Sequence, residues 1–266
     1  MEFSILVMIL IGLVTGLMTG LTGASGVGVV VPMLTIILGF SIYEAIGTSL
    51  VVDIVASLAV TITYLKHGQV ERTGAWIALG SILGAQLGAL VATQLPEGGL
   101  TAGFGLGMTL MGIVIWKRNG RSTDTAGAEN DAMPKQPFGQ IAKAILLGFG
   151  IGIMTGITGA GGGIMILFVL ILVLKFPMHK AIGTSTLIMA VTALSGAIGY
   201  SVQGQIDLTA GVVVGLGAVV GGVASSRLAN TYSEQKLARV AGSIFMVLGV
   251  TMTIIQFTGV GVIAHG

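Results

Sequence analysis

The string M-T-G-L-T-G-A-S-G at positions 18–26 returns as M-T-G-I-T-G-A-G-G at positions 154–162, an offset of 136. Extended in both directions, the same offset aligns 12–70 with 148–206 without a gap, and 23 of those 59 positions are identical. Chance would give roughly a tenth even in a glycine-rich chain, so the sequence carries an internal duplication. A second block confirms the register: A-I-G-T-S occupies 45–49 and again 181–185, and Tyr64, Gly68 and Gln69 return as Tyr200, Gly204 and Gln205.

Composition says what kind of chain has been duplicated. Of 266 residues, 54% are hydrophobic and 8% are Asp, Glu, Lys or Arg, against roughly 25% charged in a soluble domain. So few charges cannot cover a water-facing surface, and the mean hydropathy of +1.01 is that of a polytopic helical membrane protein. Forty-four glycines and 6% aromatics suit closely packed helices better than a barrel with aromatic girdles. A net charge of +2 without a basic stripe argues against nucleic acid as a partner. Without Cys, thiolate metal sites and Cys nucleophiles are excluded, and no Walker A loop, metal-ligand spacing or Ser/His/Asp layer is present. Neither an enzyme nor a cofactor is expected. The N-terminus has no basic stretch before its apolar run, which reads as a retained span.

Apolar runs bounded by charge or turn residues give ten segments: 5–22, 27–38, 42–65, 74–94 and 100–116, then 140–158, 163–174, 178–202, 208–228 and 237–258. The organisation expected is a first transmembrane repeat over 1–116, a cytoplasmic linker over 117–138, and a second repeat over 139–266. If every segment crosses, all 12 basic residues fall on one side, and the other keeps Glu2, Glu44, Glu97 and Asp207 with His265. By the positive-inside rule the basic side is cytoplasmic and both termini are extracytoplasmic. Each half then crosses an odd number of times, so the halves sit upside down relative to each other. The fold class expected is an all-α polytopic membrane protein of two inverted-topology repeats. Each has about five helical segments, including a Gly-broken or re-entrant hairpin.

The hairpin follows from length. Segment 27–38 has 12 residues, about 18 Å as a helix, too short for a hydrocarbon core of about 30 Å. Segment 163–174 repeats the shortfall, and a glycine-rich break precedes each, G-A-S-G-V-G at 23–28 and G-A-G-G-G at 159–163. Charge does not distinguish a re-entrant hairpin from two full crossings. Non-helical backbone at membrane depth must be buried in protein or line a wet cavity. A helix N-terminus after each break favours an anion. The candidate substrate-binding groups here are Thr22, Gly23, Ser25 and Gly26, and Thr158, Gly159, Gly161 and Gly162. The competing reading is close helix packing alone, which also suits the regularly spaced Gly12, Gly16 and Gly20.

The hairpin, Pro32, the duplicated A-I-G-T-S and the strings at 64–71 and 200–207, Y-x-x-x-G-Q-[VI]-[ED], together resemble the sulfite exporter TauE/SafE family, also called the toluene sulfonate uptake permeases. The resemblance covers nearly the whole chain outside the linker. It implies secondary transport, across a bacterial or archaeal plasma membrane, of sulfur-containing anions such as sulfite, sulfoacetate or other organosulfonates. Two departures stand out. Phe168 takes the place equivalent to Pro32, and the first break reads A-S-G-V-G in place of a fuller glycine run.

Three further features belong to a transport reading. Asp53 is the only acidic residue expected deep in the membrane, where a charge costs at least about 2.5 kcal/mol. Its counterpart is Met189. A proton-coupling role, cation coordination and a neutral hydrogen-bonded Asp that ties helices together are the three readings of it. Thr48, Ser49, Thr184 and Ser185 of the duplicated A-I-G-T-S either contact the anion or bond to carbonyls of their own helix. Gln86 reads as a packing hydrogen bond. The expected partners are a small anionic substrate and membrane lipid. Alternating access around a midplane site is the leading reading; a passive anion channel and a non-transporting assembly subunit are the alternatives.

Overall fold

A computed structural model describes residues 2–22, 25–71, 74–96, 138–158 and 178–228, with scattered positions within 98–113, 163–176 and 243–254. The described chain builds seven long helices: α1 (Glu2–Thr22), α2 (Val27–Leu38), α3 (Ile42–Lys66), α4 (Gly74–Ala92), α5 (Phe138–Thr158), α6 (Met178–Val202) and α7 (Leu208–Leu228). The expected segments 27–38, 178–202 and 208–228 coincide with α2, α6 and α7 end for end. Segments 100–116, 163–174 and 237–258 fall largely outside the described residues, as does the linker except Phe138, which opens α5.

Helix ends follow local chemistry. The Ser41 hydroxyl accepts the Glu44 N–H at 3.2 Å at the start of α3, a side-chain cap reinforced by an acidic residue in the first turn. Asp207 Oδ1 caps α7 in the same way, accepting the Ala210 N–H at 2.9 Å. Gly39 stops α2 in the left-handed conformation, φ 71°. Gly68 and Gly204, φ 67° and 68°, turn the chain after α3 and α6, a geometry that side chains resist.

Among the described residues, five helices are long and apolar enough to cross a membrane: Ile42–Lys66, Gly74–Ala92, Ile141–Thr158, Lys180–Val202 and Leu208–Arg227. Their outer faces are apolar too. On α1, Leu6, Leu10, Val14 and Leu17 are exposed while Gly12, Thr15, Gly16 and Thr19 point inward. Water would not tolerate such a stripe; lipid does. The protein is an all-α, multi-pass membrane protein.

Because lipid provides no hydrophobic drive between helices, small residues set the packing. A Cβ on Gly12, Gly16 or Gly20 of α1 would strike Val214 O, Ala218 O or Gly222 O of α7. On α4, Gly80, Gly84 and Gly88 lie in the same way against Ile145 O, Phe149 O and Ile153 O of α5. Both pairs ascend in register and are parallel. So are α3 with α7 (Val51 at Gly211, Val60 at Gly222) and α4 with α6 (Ile188 at Gly74, Ala89 at Gly199). By contrast α3 and α6 are antiparallel: Thr61 near the end of α3 meets Thr186 near the start of α6 at 3.0 Å. At the other end Thr48 meets Asp207, just past α6. Hence α1, α3 and α7 run one way and α4, α5 and α6 the other. Lys66, Lys143, Lys180 and Arg227 consequently lie toward one end of the bundle, and Glu2, Glu44 and Asp207 toward the other.

Contacts made by one half are repeated by the other with the halves exchanged. The Tyr64 hydroxyl donates to Gly20 O at 3.4 Å and the Tyr200 hydroxyl to Gly156 O at 3.0 Å. The Glu71 N–H donates to the Thr184 hydroxyl at 2.9 Å and the Asp207 N–H to the Thr48 hydroxyl at 3.0 Å. Gly183 lies against Gln69 O, and Gly47 against Gln205 O.

Candidate functional site

Beyond Thr22 the chain leaves α1, and it resumes as helix at Val27. Ser25 and Gly26 are buried between them, whereas Gly23 and Ala24 lie outside the described residues, as does the side chain of Thr22. Gly26 sits against α1, where a Cβ would run into Thr15 Cγ2 and come within 2.9 Å of Thr15 O. Only glycine fits. The first turns of α2 are fully enclosed, with Val27, Val29, Val30 and Val31 buried, while Ile36 and Ile37 near its other end are exposed. The start of α2 is therefore its deep end, and a three-residue link, 39–41, returns the chain to the start of α3.

At that deep end stands Asp53, midway along α3 and 0% exposed. The Ser25 hydroxyl donates to Asp53 Oδ2 at 2.6 Å and accepts the Val27 N–H at 3.1 Å. Asp53 Oδ1 is buried without a hydrogen-bond partner among the described residues, and so is Thr15 Oγ1. The break, the carboxyl and a helix N-terminus thus converge, with two polar atoms unused. The arrangement is suited to taking up a proton or a ligand, since a buried polar atom left unmatched costs about 1–3 kcal/mol.

The second half does not repeat it. Met189 stands in place of Asp53, fully buried, and Gly161 in place of Ser25. Gly159, Gly161 and Gly162 lie outside the described residues. The Thr158 hydroxyl donates to Met154 O at 2.7 Å, and on the same helix Thr155 Oγ1 is buried without a partner among the described residues.

The A-I-G-T-S hydroxyls lie elsewhere. Thr48 and Thr184 accept backbone N–H groups from the opposite half near the two ends of the α3–α6 pair. Ser49 donates to Ile46 O at 2.6 Å and Ser185 to Ile182 O at 2.9 Å, bonds within their own helices. Gln86 donates to Ser195 O at 2.7 Å, joining α4 to α6. The structure therefore brings together Ser25, Gly26 and Asp53, and does not bond the A-I-G-T-S hydroxyls to them. Sequence reasoning missed Thr15 and Thr155. Their signal was present: each is a hydroxyl on the inward, glycine-bearing face of the helix before a break.

The fold defines a polytopic membrane protein with a buried polar cluster where a helix break meets the middle of α3. The model of the sulfite exporter TauE/SafE family matches residues 8–252, and the chain belongs to that family. It is 28% identical over 231 residues to the probable membrane transporter protein YdhB of Bacillus subtilis (strain 168), covering 85% of this chain and 89% of that one. To the probable membrane transporter protein YunE of the same organism it is 24% identical over 262 residues, covering 92% and 96%. To the probable membrane transporter protein MJ0441 of Methanocaldococcus jannaschii it is 28% identical over 211 residues, covering 75% and 74%. No solved structure matches the chain significantly. Membership makes this a transporter and not an enzyme.

Proposed function

We propose that the protein is a secondary transporter that moves a small sulfur-containing anion (sulfite, sulfoacetate or another organosulfonate) across the plasma membrane. It works by alternating access, with proton coupling through Asp53. The single observation that carries this reading is the 2.6 Å bond between Ser25 of the helix break and Asp53 in the middle of α3. It joins the one deeply buried carboxyl among the described residues to the backbone feature that suits an anion. The family description, a sulfite exporter, supports the substrate class.

The architecture we infer is a pair of inverted repeats, 1–116 and 139–266, joined by a cytoplasmic linker at 117–138. It is supported by the antiparallel course of α3 and α6 and by contacts that recur with the halves exchanged. The gathering of basic side chains toward one end supports a cytoplasmic linker and extracytoplasmic termini. The anion is held at the breaks by Thr22, Gly23, Ser25 and Gly26 and by Thr158, Gly159, Gly161 and Gly162. In this reading Thr48, Ser49, Thr184 and Ser185 hold the helices that frame it.

Proteoliposomes loaded with the protein test this reading. An inward proton gradient should accumulate labelled sulfite or sulfoacetate above equilibrium, with saturation. Asp53→Asn should abolish accumulation while leaving exchange and a folded protein. Flux that never saturates and ignores both the gradient and Asp53→Asn would instead establish a passive anion channel.

A further inference from the structure

Coupling a proton to an anion requires that the binding of each be felt by the other. The geometry points to Ser25 as the element that makes them interdependent: we propose that Asp53 and Ser25 form a proton-reversed hydrogen bond, so that Ser25 and the start of α2 hold an anion only while Asp53 is protonated. Thr15 supplies a second donor to the same anion. The inference rests on the proposed transport of an anion and deepens it.

Ser25 has one proton and two lone pairs. One lone pair takes the Val27 N–H. With Asp53 ionised, the hydroxyl proton is committed to Oδ2, and the carboxylate itself occupies the positive end of α2, where a negative charge is favoured. A substrate anion then meets a spent donor and a like charge. A hydronium ion transfers one proton to Asp53: an O–H bond of the hydronium breaks, an O–H bond forms on the carboxyl, and a water molecule is left. That new donor finds its acceptor at Ser25, because Oδ1 has no partner among the described residues. The hydrogen bond reverses. Both lone pairs of Ser25 are now filled, so its own proton turns outward to an anion, and the helix end is vacated. Thr15 Oγ1 is buried, unpartnered among the described residues and carried by the residue packed on Gly26. It is a buried hydroxyl on the residue beside the break, bonded to none of the described residues.

No other charge shares this role among the described residues. α3 packs on α1, α2, α6 and α7. Apart from Asp53, the titratable groups on these five helices are Glu2 on α1, Tyr43, Glu44, Tyr64 and Lys66 on α3, His179, Lys180 and Tyr200 on α6, and Arg227 on α7; Asp207 precedes α7. Lys180 is paired with Glu71, Tyr64 and Tyr200 donate to backbone carbonyls, and most of the others lie near helix ends. The switch is also confined to one half. Ser25 and Asp53 are present together there, and both are replaced together, by Gly161 and Met189, in the other.

Binding to the full chain in nanodiscs, weakly buffered, tests the inference with methanesulfonate, which stays singly charged throughout, and with sulfite. In the native protein, affinity should rise as pH falls, up to about tenfold per pH unit, and each anion bound in the alkaline range should draw in close to one proton. Asp53→Asn places a neutral donor against Ser25. It should bind with the acid-side affinity at every pH and take up no proton. Ser25→Ala should lose about tenfold on the acid side and almost nothing on the alkaline side, where its proton is already committed. Thr15→Val should weaken binding on the acid side as well. A Ser25→Ala loss equal at both ends of the range would overturn the switch and leave Ser25 a structural residue. Binding of native protein that is independent of pH, with no proton uptake, would overturn the switch while leaving anion transport intact. Absence of binding by either probe at every pH would overturn the anion reading and this inference with it.

Discussion

The Thr48 hydroxyl accepts the backbone N–H of Asp207 at 3.0 Å, across 159 residues of chain, and Thr184 does the same for Glu71 at 2.9 Å. Each bond pins the segment that follows one long helix to the start of the equivalent helix in the opposite half. Valine at either position keeps the shape and leaves the N–H without its acceptor. Thr48→Val and Thr184→Val should therefore each cost about 1–2 kcal/mol, and by similar amounts. Thermal unfolding of the purified protein checks this, and a large loss at one site with none at the other would deny the equivalence.

Glycines two positions apart on α5 should respond in opposite senses. Gly152 faces α4, where a Cβ would strike Ser81 O and lie 2.9 Å from Ala85 N, whereas Gly150 meets nothing within 4 Å. Gly152→Ala should cost about 1–3 kcal/mol through overpacking against backbone. Gly150→Ala should be neutral or stabilise by up to about 1 kcal/mol through helix propensity. Melting temperatures of the two variants, measured side by side, separate a packing glycine from a dispensable one.

Gly68 and Gly204 are constrained by conformation and not by space. Both have positive φ, and a Cβ at either would meet no atom within 4 Å. Alanine at either should cost about 1–2 kcal/mol. Asparagine, which tolerates this conformation, should recover part of the loss despite being larger. Asparagine proving worse than alanine would show that the turn is limited by crowding.

The Lys180 ammonium lies 2.8 Å from Glu71 Oε1, with the two side chains 44% and 23% exposed. The equivalent positions at the opposite end of the bundle carry Glu44 and Asp207, so charge does not repeat where the fold does. Lys180→Gln should cost less than about 1 kcal/mol, and the difference should shrink in high salt. Melting at low and high ionic strength tests this; a salt-independent loss would mean that Lys180 matters through its aliphatic stem.

Much of this arrangement was legible in the sequence. Apolar runs gave α2, α6 and α7 to the residue, because membrane spans are bounded by abrupt changes of solvent preference. Asp53 stood out through the rarity of buried charge, and Ser25 through its place in the break. That the two are bonded could not be read, since they are 28 positions apart and their meeting depends on how α2 returns along α3. The duplicated A-I-G-T-S drew attention to its hydroxyls as ligands. In the structure Thr48 and Thr184 receive the tails of the opposite half, a symmetric packing role that duplicates a motif as readily as a binding role does. Thr15 was hidden by its neighbours, because Gly12 and Gly16 made that face of α1 read as packing alone.

The glycine seams have a mechanical consequence. Where α1 meets α7, and α4 meets α5, backbone lies directly on backbone, so no intervening side chain can change rotamer to let one helix slide past the other. Each seam welds a helix of the first half to a helix of the second. The seams between α3 and α6 and between α4 and α6 are different, for they are filled by side chains such as Thr61 with Thr186 and Ser81 with Thr192. Motion is cheaper there. In the alternating-access cycle proposed above, the rigid parts would accordingly be mixed pairs, and the plane along which they part would cut through both copies of the duplicated sequence instead of running between them.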